Sequence, residues 1–193
     1  MIKKIVSSVK SLIIIVLFAS CFASRSDLAD GNFYSLTYDP FHAKYMSCGF
    51  GVSDPEFVSV WAVVRYNSNA TLDPTFGFGG YVIENGLGTS AAYGLTIDNS
   101  GNSYVGGWVL VNGLRTWTVI KYTITGARDT TFNGTGMVQE TALGVAEAYS
   151  VSLSRTLIPQ VIYVTGYTNI DNHPVMTIIS YNQDGTHNAT FNP

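Results

Sequence analysis

Apolar and polar residues alternate in short runs along most of the chain, and turn-forming residues separate the runs. In residues 89–145 this pattern predicts four strands, Ala92–Ile97, Ser103–Leu110, Thr116–Thr123 and Met137–Thr141. The sequence DNSGN between the first two supplies Asx side chains and Gly101, which suit a tight turn. After residue 23 the apolar residues show no helical periodicity. We therefore predict an all-β protein.

The third of these predicted strands begins a segment that occurs three times in the sequence. It reads WAVVRYNSNATLDPTFGFGG from Trp61, WTVIKYTITGARDTTFNGTG from Trp117 and MTIISYNQDGTHNATFNP from Met176. Its tyrosine and its phenylalanine recur at the same intervals of 56 and 59 residues: Tyr66, Tyr122 and Tyr181; Phe76, Phe132 and Phe191. A period near sixty indicates stacked structural units, which we place at about 32–88, 89–145 and 146–193.

A companion segment precedes each copy. It reads YSLTYDPFHAKYMSCGF from Tyr34, YGLTIDNSGNSYVGGW from Tyr93 and YSVSLSRTLIPQVIYVTGY from Tyr149. Apolar residues lie on both sides of the predicted third strand, so both faces of its sheet must be covered. Blades that pack face to face supply this cover. We predict a partial β-propeller of about three four-stranded antiparallel blades.

The repeated residues carry a family resemblance. The series VVRYNSNATLDPTFGFGG, VIKYTITGARDTTFNGTG and IISYNQDGTHNATF resembles the delta-sixty repeat of bacterial β-propellers. That repeat has an aliphatic–basic–Tyr run, a turn and then Leu-Asp-x-x-Phe-Gly, and the Tyr93 segment is similar to its companion half. The third copy departs from the pattern at Ser180 and Asn188. The resemblance covers Tyr34–Pro193 and implies a propeller in an exported protein, with no defined enzymatic activity.

The N-terminus has the pattern of an export signal. Lys3, Lys4 and Lys10 precede a short apolar run, Ser11–Ser20, and this order predicts a signal-peptide helix within residues 1–23. The run is shorter than the roughly 20 residues that a transmembrane helix needs. A polar tether, Ser24–Gly31, follows it.

Two modes of processing fit this segment. The sequence LFASC, ending at Cys21, resembles a bacterial lipobox, although Phe18 replaces the usual aliphatic residue. Cys21 is therefore the lipidation candidate, and the expected location is the bacterial cell envelope. The rival is ordinary cleavage after Ala23, which would give a secreted protein. Cys48 is expected to be a small buried hydrophobe, with a disulfide to Cys21 as the alternative if Cys21 is retained unmodified.

Charge excludes one class of partner. The net charge is −3, and loss of the three N-terminal lysines would bring it to about −6. The seven remaining basic residues are dispersed and form no basic stripe. We therefore expect no nucleic-acid partner, and membrane contact only through the signal peptide or a lipid anchor.

Several polar residues could carry chemistry, but each has a structural interpretation that we prefer. Asp73, Asp129 and Asn188 each precede a repeat phenylalanine by three residues and are expected to cap the turn there. The sequences DNSGN and NQDG faintly resemble calcium loops but lack the glutamate that completes an EF-hand loop. No motif of a hydrolase or phosphate-binding loop is present. We expect no enzymatic activity, no cofactor and no metal.

The pattern favours an exported binding or scaffold module. Propellers generally bind through loops at one end of the channel, and this analogy gives weak binding-face candidates in the loops between the second and third strands: Asp54, Glu56, Asn112, Asp171 and His173. The alternatives are a truncated remnant of a longer propeller protein and an envelope hydrolase acting at the propeller mouth. The third unit should lack its fourth strand, so we expect self-association, or pairing with another propeller fragment.

Overall fold

The computed structural model describes residues 28–53, 58–154, 156 and 159–191. These residues form three antiparallel sheets and two short 3₁₀ helices, Asn85–Leu87 and Thr141–Leu143. The predicted signal peptide, the lipidation candidate Cys21, and the binding-face candidates Asp54 and Glu56 lie outside the described residues.

Each sheet corresponds to one sequence repeat and is named here as a blade. Blade 1 contains β1 (Leu28–Asp39), β2 (Lys44–Ser53), β3 (Ser59–Asn67) and β4 (Tyr81–Ile83), paired in chain order. Blade 2 contains β5 (Ser90–Ile97), β6 (Ser103–Val111), β7 (Leu114–Tyr122) and β8 (Met137–Gln139), again in chain order. Blade 3 contains β9 (Ala146–Leu153), β10 (Ile162–Ile170) and β11 (His173–Tyr181). The prediction of an all-β, partial β-propeller is confirmed.

The strand boundaries differ from the prediction at two kinds of position. β1 begins at Leu28, so residues 28–31 of the expected tether belong to the sheet. β8 ends at Gln139 rather than at the predicted Thr141, and β4 ends at the equivalent Ile83, because a 3₁₀ turn follows Glu140 and Glu84. At these two glutamates the chain leaves the sheet, and each carboxylate bonds a side chain of the next blade.

The hydrophobic core fills the two gaps between neighbouring blades. Blade 2 is therefore covered on both faces, and every residue from Thr116 to Tyr122 in β7 is buried. The gap between blades 1 and 2 contains Met46, Cys48, Trp61, Val63, Phe76, Ala92, Leu95, Val105, Ile120 and Tyr122. The gap between blades 2 and 3 contains Tyr104, Trp117, Val119, Phe132, Val138, Ala146, Ala148, Val151, Ile162, Val164 and Tyr181.

A tryptophan and a glycine fit together at each junction between blades. Trp61 of blade 1 packs against Gly107 in β6, where a Cβ atom would lie 2.7 Å from its ring. Trp117 of blade 2 packs in the same way on Gly166 in β10, with the same 2.7 Å distance. The absence of a side chain at the glycine makes room for the ring, so the sheets approach closely.

A glutamate links each blade to the next beside this contact. Glu84 accepts a hydrogen bond from the Tyr122 hydroxyl (3.0 Å) and pairs with Arg128 (2.7 Å). Glu140 accepts from the Tyr181 hydroxyl (2.9 Å) and contacts the His187 ring at 2.7 Å. The pKa of each tyrosine lies well above the usual range for this residue. Burial is the larger cause, and the neighbouring glutamate is the second. Both hydroxyls therefore remain protonated donors.

The capping role predicted for three repeat positions is confirmed. Each carboxylate or amide oxygen accepts from the backbone N–H (3.1 Å) and the hydroxyl (2.7–2.8 Å) of the threonine two residues later, the pairs being Asp73–Thr75, Asp129–Thr131 and Asn188–Thr190. The DNSGN sequence likewise forms a plain turn, in which Asp98 accepts from backbone N–H groups.

The same three positions also pair with the residue before each repeat tyrosine. Arg65 donates to Asp73 at 2.8 Å, and Lys121 pairs with Asp129 at 2.7 Å. In blade 3 the amide of Asn188 donates instead to Ser180, at 3.3 Å. The two departures of the third copy thus form a single change, in which a neutral pair replaces an ion pair.

Asp73 should contribute acid-sensitive stability. Burial alone raises its pKa, but hydrogen bonds from Thr75 and Lys44 and the Arg65 charge outweigh burial and lower the pKa to about 2. A carboxylate with a lowered pKa in the folded state stabilises the protein above its unfolded-state pKa. This stability is lost as the pH falls from about 4 towards 2.

We therefore expect Asp73→Asn to lower the free energy of unfolding by about 1–2 kcal/mol at pH 7, with the difference from wild type shrinking towards pH 2. Urea unfolding between pH 2 and 7 measures this. Asp184→Asn is the matched control, because Asp184 also accepts from a threonine but is exposed. A constant difference for Asp73→Asn across this pH range would contradict the assignment.

Cys48 is completely buried in the core and free, and burial raises the pKa of its thiol well above the usual range. The prediction of a small buried hydrophobe is confirmed. Within the described part of the chain, no helix has the length and apolar character needed to cross a membrane.

Candidate binding cleft and inner surface

The first strands of the three blades, β1, β5 and β9, lie side by side. Each forms an edge of its own sheet, and the remaining strands follow outward from it. In a propeller this position faces the central channel. We call the surface that β1, β5 and β9 form together the inner surface.

A tyrosine in the same repeat position interrupts each of these three strands. Strand pairing shifts between Phe33 and Ser35 and between Ala92 and Gly94, and it skips one residue of β9 between Ala148 and Ser150. The extra residues are Tyr34, Tyr93 and Tyr149. A β-bulge redirects the extra side chain away from the regular alternation of its strand.

The three bulged tyrosines form a row across the blades. Ring centroids are 4.9 Å apart between Tyr34 and Tyr93, and 5.3 Å apart between Tyr93 and Tyr149. The Tyr149 ring continues to Tyr167 at 5.7 Å. Tilted and edge-on ring pairs at these distances attract each other. This row therefore holds the three inner strands together. The rings of Tyr34 and Tyr149 remain about half exposed.

A buried glutamate, Glu147, bonds the tyrosine at the end of the row, Tyr167. Glu147 is buried and accepts hydrogen bonds from Arg115 (2.7 Å) and from the Tyr167 hydroxyl (2.9 Å). The Arg115 guanidinium lies 4.5 Å from the centre of the Trp108 ring. Burial and the Glu147 contact raise the pKa of Tyr167 to about 12. The Glu147 carboxylate thus joins Arg115 and Tyr167 at the end of the row.

The other end of the inner surface opens into a cleft of about 460 Å³. It is formed where β1, β5 and β9 end and the turns to the second strands begin. The lining residues are Thr37, Tyr38, Asp39, Pro40, Phe41, Thr96, Ile97, Asp98, Asn99, Ser152, Leu153 and Gln160. Its volume lies within the range of about 300–1,000 Å³ that is usual for ligand pockets.

The two carboxylates in this cleft are occupied by their own turns. Asp39 accepts from the backbone N–H groups of Phe41 (2.9 Å) and His42 (3.2 Å), and its second oxygen contacts the His42 ring at 2.7 Å. Asp98 accepts from the backbone N–H groups of Ser100 and Asn102 at 2.9 Å, and from the Asn102 amide at 3.0 Å. Both turns are therefore held in one conformation.

The binding-face candidates that the structure describes lie at the opposite end of the blades. Asn112 is in the β6–β7 turn, Asp171 is in the β10–β11 turn, and His173 begins β11. All three are exposed, and no hydrogen bond or ion pair between them occurs within the described residues. Asn112 and Asp171 both have a φ of 51°, the left-handed backbone of a two-residue hairpin turn. This geometry accounts for both residues without a ligand.

Sequence reasoning missed both the cleft and the linking glutamates. Glu84 and Glu140 lie 56 residues apart, the interval of the first two repeat tyrosines, so their spacing could have indicated a repeated role. The cleft offered a weaker signal, the recurring hydroxyl at Thr37, Thr96 and Ser152.

A smaller cavity of about 250 Å³ lies between blades 1 and 2 and is lined by His42, Lys44, Arg65, Thr75, Ile124 and Thr125. The lysine and the arginine of this lining, Lys44 and Arg65, both form ion pairs with Asp73. Among the described residues, no group of three or more His, Cys, Asp or Glu side chains is arranged to hold a metal ion.

Residues 56–76 match a family model described as "Domain of unknown function (DUF5122) beta-propeller". The matched stretch includes β3 and the capped turn that ends at Phe76. No curated protein matches the chain. The matched repeat and the three stacked sheets together support a propeller-repeat family for this chain.

Proposed function

We propose that this chain is an exported, non-catalytic binding or scaffold module built from propeller repeats. One observation carries the proposal: three blades bring the ends of their inner strands together around a cleft of ligand-pocket size. Each blade contributes to the lining, so the cleft exists only when the repeats are stacked. The repeats thus serve as the frame of a binding surface.

Binding is favoured over hydrolysis by the state of the acidic groups. General acid–base catalysis of hydrolysis needs a carboxylate or imidazole within hydrogen-bond reach of the proton that it transfers. Asp39 and Asp98 are each engaged by three contacts within their turns, and Glu147 is paired with Arg115 and Tyr167. These groups act as structural acceptors.

A binding screen tests this proposal. Purified mature protein is exposed to panels of glycans, peptides and metal ions, and retained probes are then tested for chemical change by mass spectrometry. We expect at least one probe to be retained with its mass unchanged. Retention of no probe, or conversion of a retained one, would contradict a non-catalytic binding module.

The scaffold part of the proposal concerns the outer face of blade 3. In blades 1 and 2 the equivalent face is covered by the next blade, through Trp61 and Trp117. Met176 occupies the equivalent position in β11 and is 94% exposed, and the neighbouring Ile178 is 56% exposed. Exposed apolar faces of this kind usually mark an interface. A second copy of the chain offers a surface of matching chemistry, so we infer a dimer through blade 3.

Light scattering at micromolar concentration should therefore give the mass of a dimer for the mature protein. Ile178→Asp should shift the mass to that of a monomer, because a charge on this face would be buried without a partner in the dimer. Leu114→Asp, at an exposed position of the β6–β7 hairpin, is the matched control and should remain dimeric. A wild-type monomer under these conditions would exclude the proposed pairing.

Export is the remaining part of the proposal and rests on the lysines and the apolar run before Cys21. Mass spectrometry of the mature N-terminus after expression in a bacterium tests it. We expect a diacyl or triacyl mass on Cys21. An unmodified start at Ser24 would instead indicate ordinary secretion, and a retained Met1 would exclude processing.

A further inference from the structure

Exposed aromatic rings border the cleft. Phe41 is 65% exposed and Tyr38 is 49% exposed, although burial of such rings would be favourable. The Asp39 carboxylate holds the turn that carries Phe41, through the hydrogen bond from the Phe41 backbone N–H at 2.9 Å. The backbone that carries Phe41 is therefore held in place before any ligand arrives, which reduces the entropy cost of binding.

Neutral polar groups cover the rest of the cleft. The hydroxyls of Thr37, Thr96 and Ser152 occupy equivalent positions in the three inner strands, and none forms a hydrogen bond within the described residues. The amides of Asn99 and Gln160 add further donors and acceptors, and one N–H of the Gln160 amide already donates to the Ser154 carbonyl at 3.1 Å. The three blades therefore present one hydroxyl each along the wall of the cleft.

The charge of the lining narrows the ligand class. The charged residues among the described lining are Asp39 and Asp98, and these two carboxylates repel an anionic ligand. The carboxylates of Asp39 and Asp98 already accept hydrogen bonds from their own turns. What remains available is a set of uncharged donors and acceptors beside two exposed rings.

We propose that the cleft binds a short neutral oligosaccharide. A sugar ring presents C–H groups on its faces, which pack on aromatic rings, and hydroxyls on its edges, which both donate and accept hydrogen bonds. Phe41 and Tyr38 provide the packing surface, and the hydroxyls and amides provide the partners. One hydroxyl per blade suits a ligand that is itself a chain of repeated hydroxyl-bearing units. This inference rests on the proposed binding function.

Calorimetric titration of the mature chain with cellopentaose, xylopentaose and mannopentaose tests the ligand class. At least one should bind, and Phe41→Ala should weaken it by about fivefold to tenfold, since an aromatic contact is lost. Phe78→Ala is the matched control, because Phe78 is 79% exposed and lies in the loop between β3 and β4. Its affinity should stay within about twofold of wild type.

A second pair of variants tests the hydroxyl row without removing a ring. Thr96→Val keeps the shape of the side chain and should weaken binding by about threefold to tenfold, because a ligand hydroxyl loses its partner. Thr130→Val, at an exposed position in the turn after β7, should have no effect. Saccharide binding that neither Phe41→Ala nor Thr96→Val weakens would overturn this cleft as the site.

The same titration with a proline-rich decapeptide, calcium and polygalacturonate separates the two proposals. If one of these binds, Phe41→Ala weakens it and no neutral saccharide binds, the saccharide inference is overturned while the binding module stands. If none of the probes binds, both are overturned. Thermal melts of each variant confirm that it is folded.

Discussion

Replacing Phe132 with alanine should lower the free energy of unfolding by about 3–5 kcal/mol. Phe132 is completely buried between blades 2 and 3, and its ring lies edge-on to Tyr104 at a centroid distance of 6.1 Å. Truncation leaves a cavity at the junction of two stacked sheets, and the neighbouring strands have little freedom to close it. Urea unfolding measures the loss.

Phe191 gives the matched control for this substitution. It occupies the same repeat position in blade 3 but is 38% exposed, and its ring contacts Tyr163 at 5.5 Å. Phe191→Ala should therefore cost much less than Phe132→Ala. Equal losses for the two variants would mean that burial between blades does not set the cost. An unchanged melting temperature for Phe132→Ala together with lost ligand binding would make Phe132 a site residue.

Replacing Gly166 with alanine should be at least as damaging. The new Cβ atom would overlap the carbonyl oxygen of Glu147 on the paired strand and would lie 2.7 Å from the Trp117 ring. Neither neighbour can yield easily, because one is backbone and the other is a buried ring. Overpacking typically costs about 1–3 kcal/mol, and the overlap with a backbone oxygen places this substitution at or above the upper end of that range. We expect a large drop in melting temperature measured by circular dichroism.

Gly86 is the control for the glycine substitution. It lies in the first 3₁₀ turn, and a Cβ atom there would have no neighbour within 4 Å. Gly86→Ala should leave the melting temperature unchanged or slightly raised, since alanine restricts the unfolded chain. A similar drop for both variants would contradict the proposed fit of Trp117 on Gly166.

The blades could be predicted because their signals are local. Alternation along β5–β7 and the turn residues between these strands fix the pairing within a sheet, and the interval between Tyr66 and Tyr122 fixes the unit. The capping role of Asp73 was equally accessible, because its partner Thr75 lies two residues away. Interactions of short sequence separation leave a pattern that a single sequence contains.

The interactions between blades were harder to predict. The Glu84–Tyr122 bond joins residues that are 38 apart and lie in different blades. The cleft depends on how the ends of β1, β5 and β9 are placed relative to one another. That placement follows from close packing at Gly107 and Gly166, which composition and alternation do not encode.

Nuclear magnetic resonance can test whether the cleft holds a ligand without converting it. Isotope-labelled mature protein is titrated with cellopentaose, xylopentaose and mannopentaose, and the signals of protein amides and sugar protons are followed together. We predict shifts at Phe41, Thr96 and Ser152, one residue from each blade, with unchanged sugar signals over a day. Shifts confined to the turns around Asn112 and Asp171, the appearance of product signals, or no shifts at all would contradict the claim.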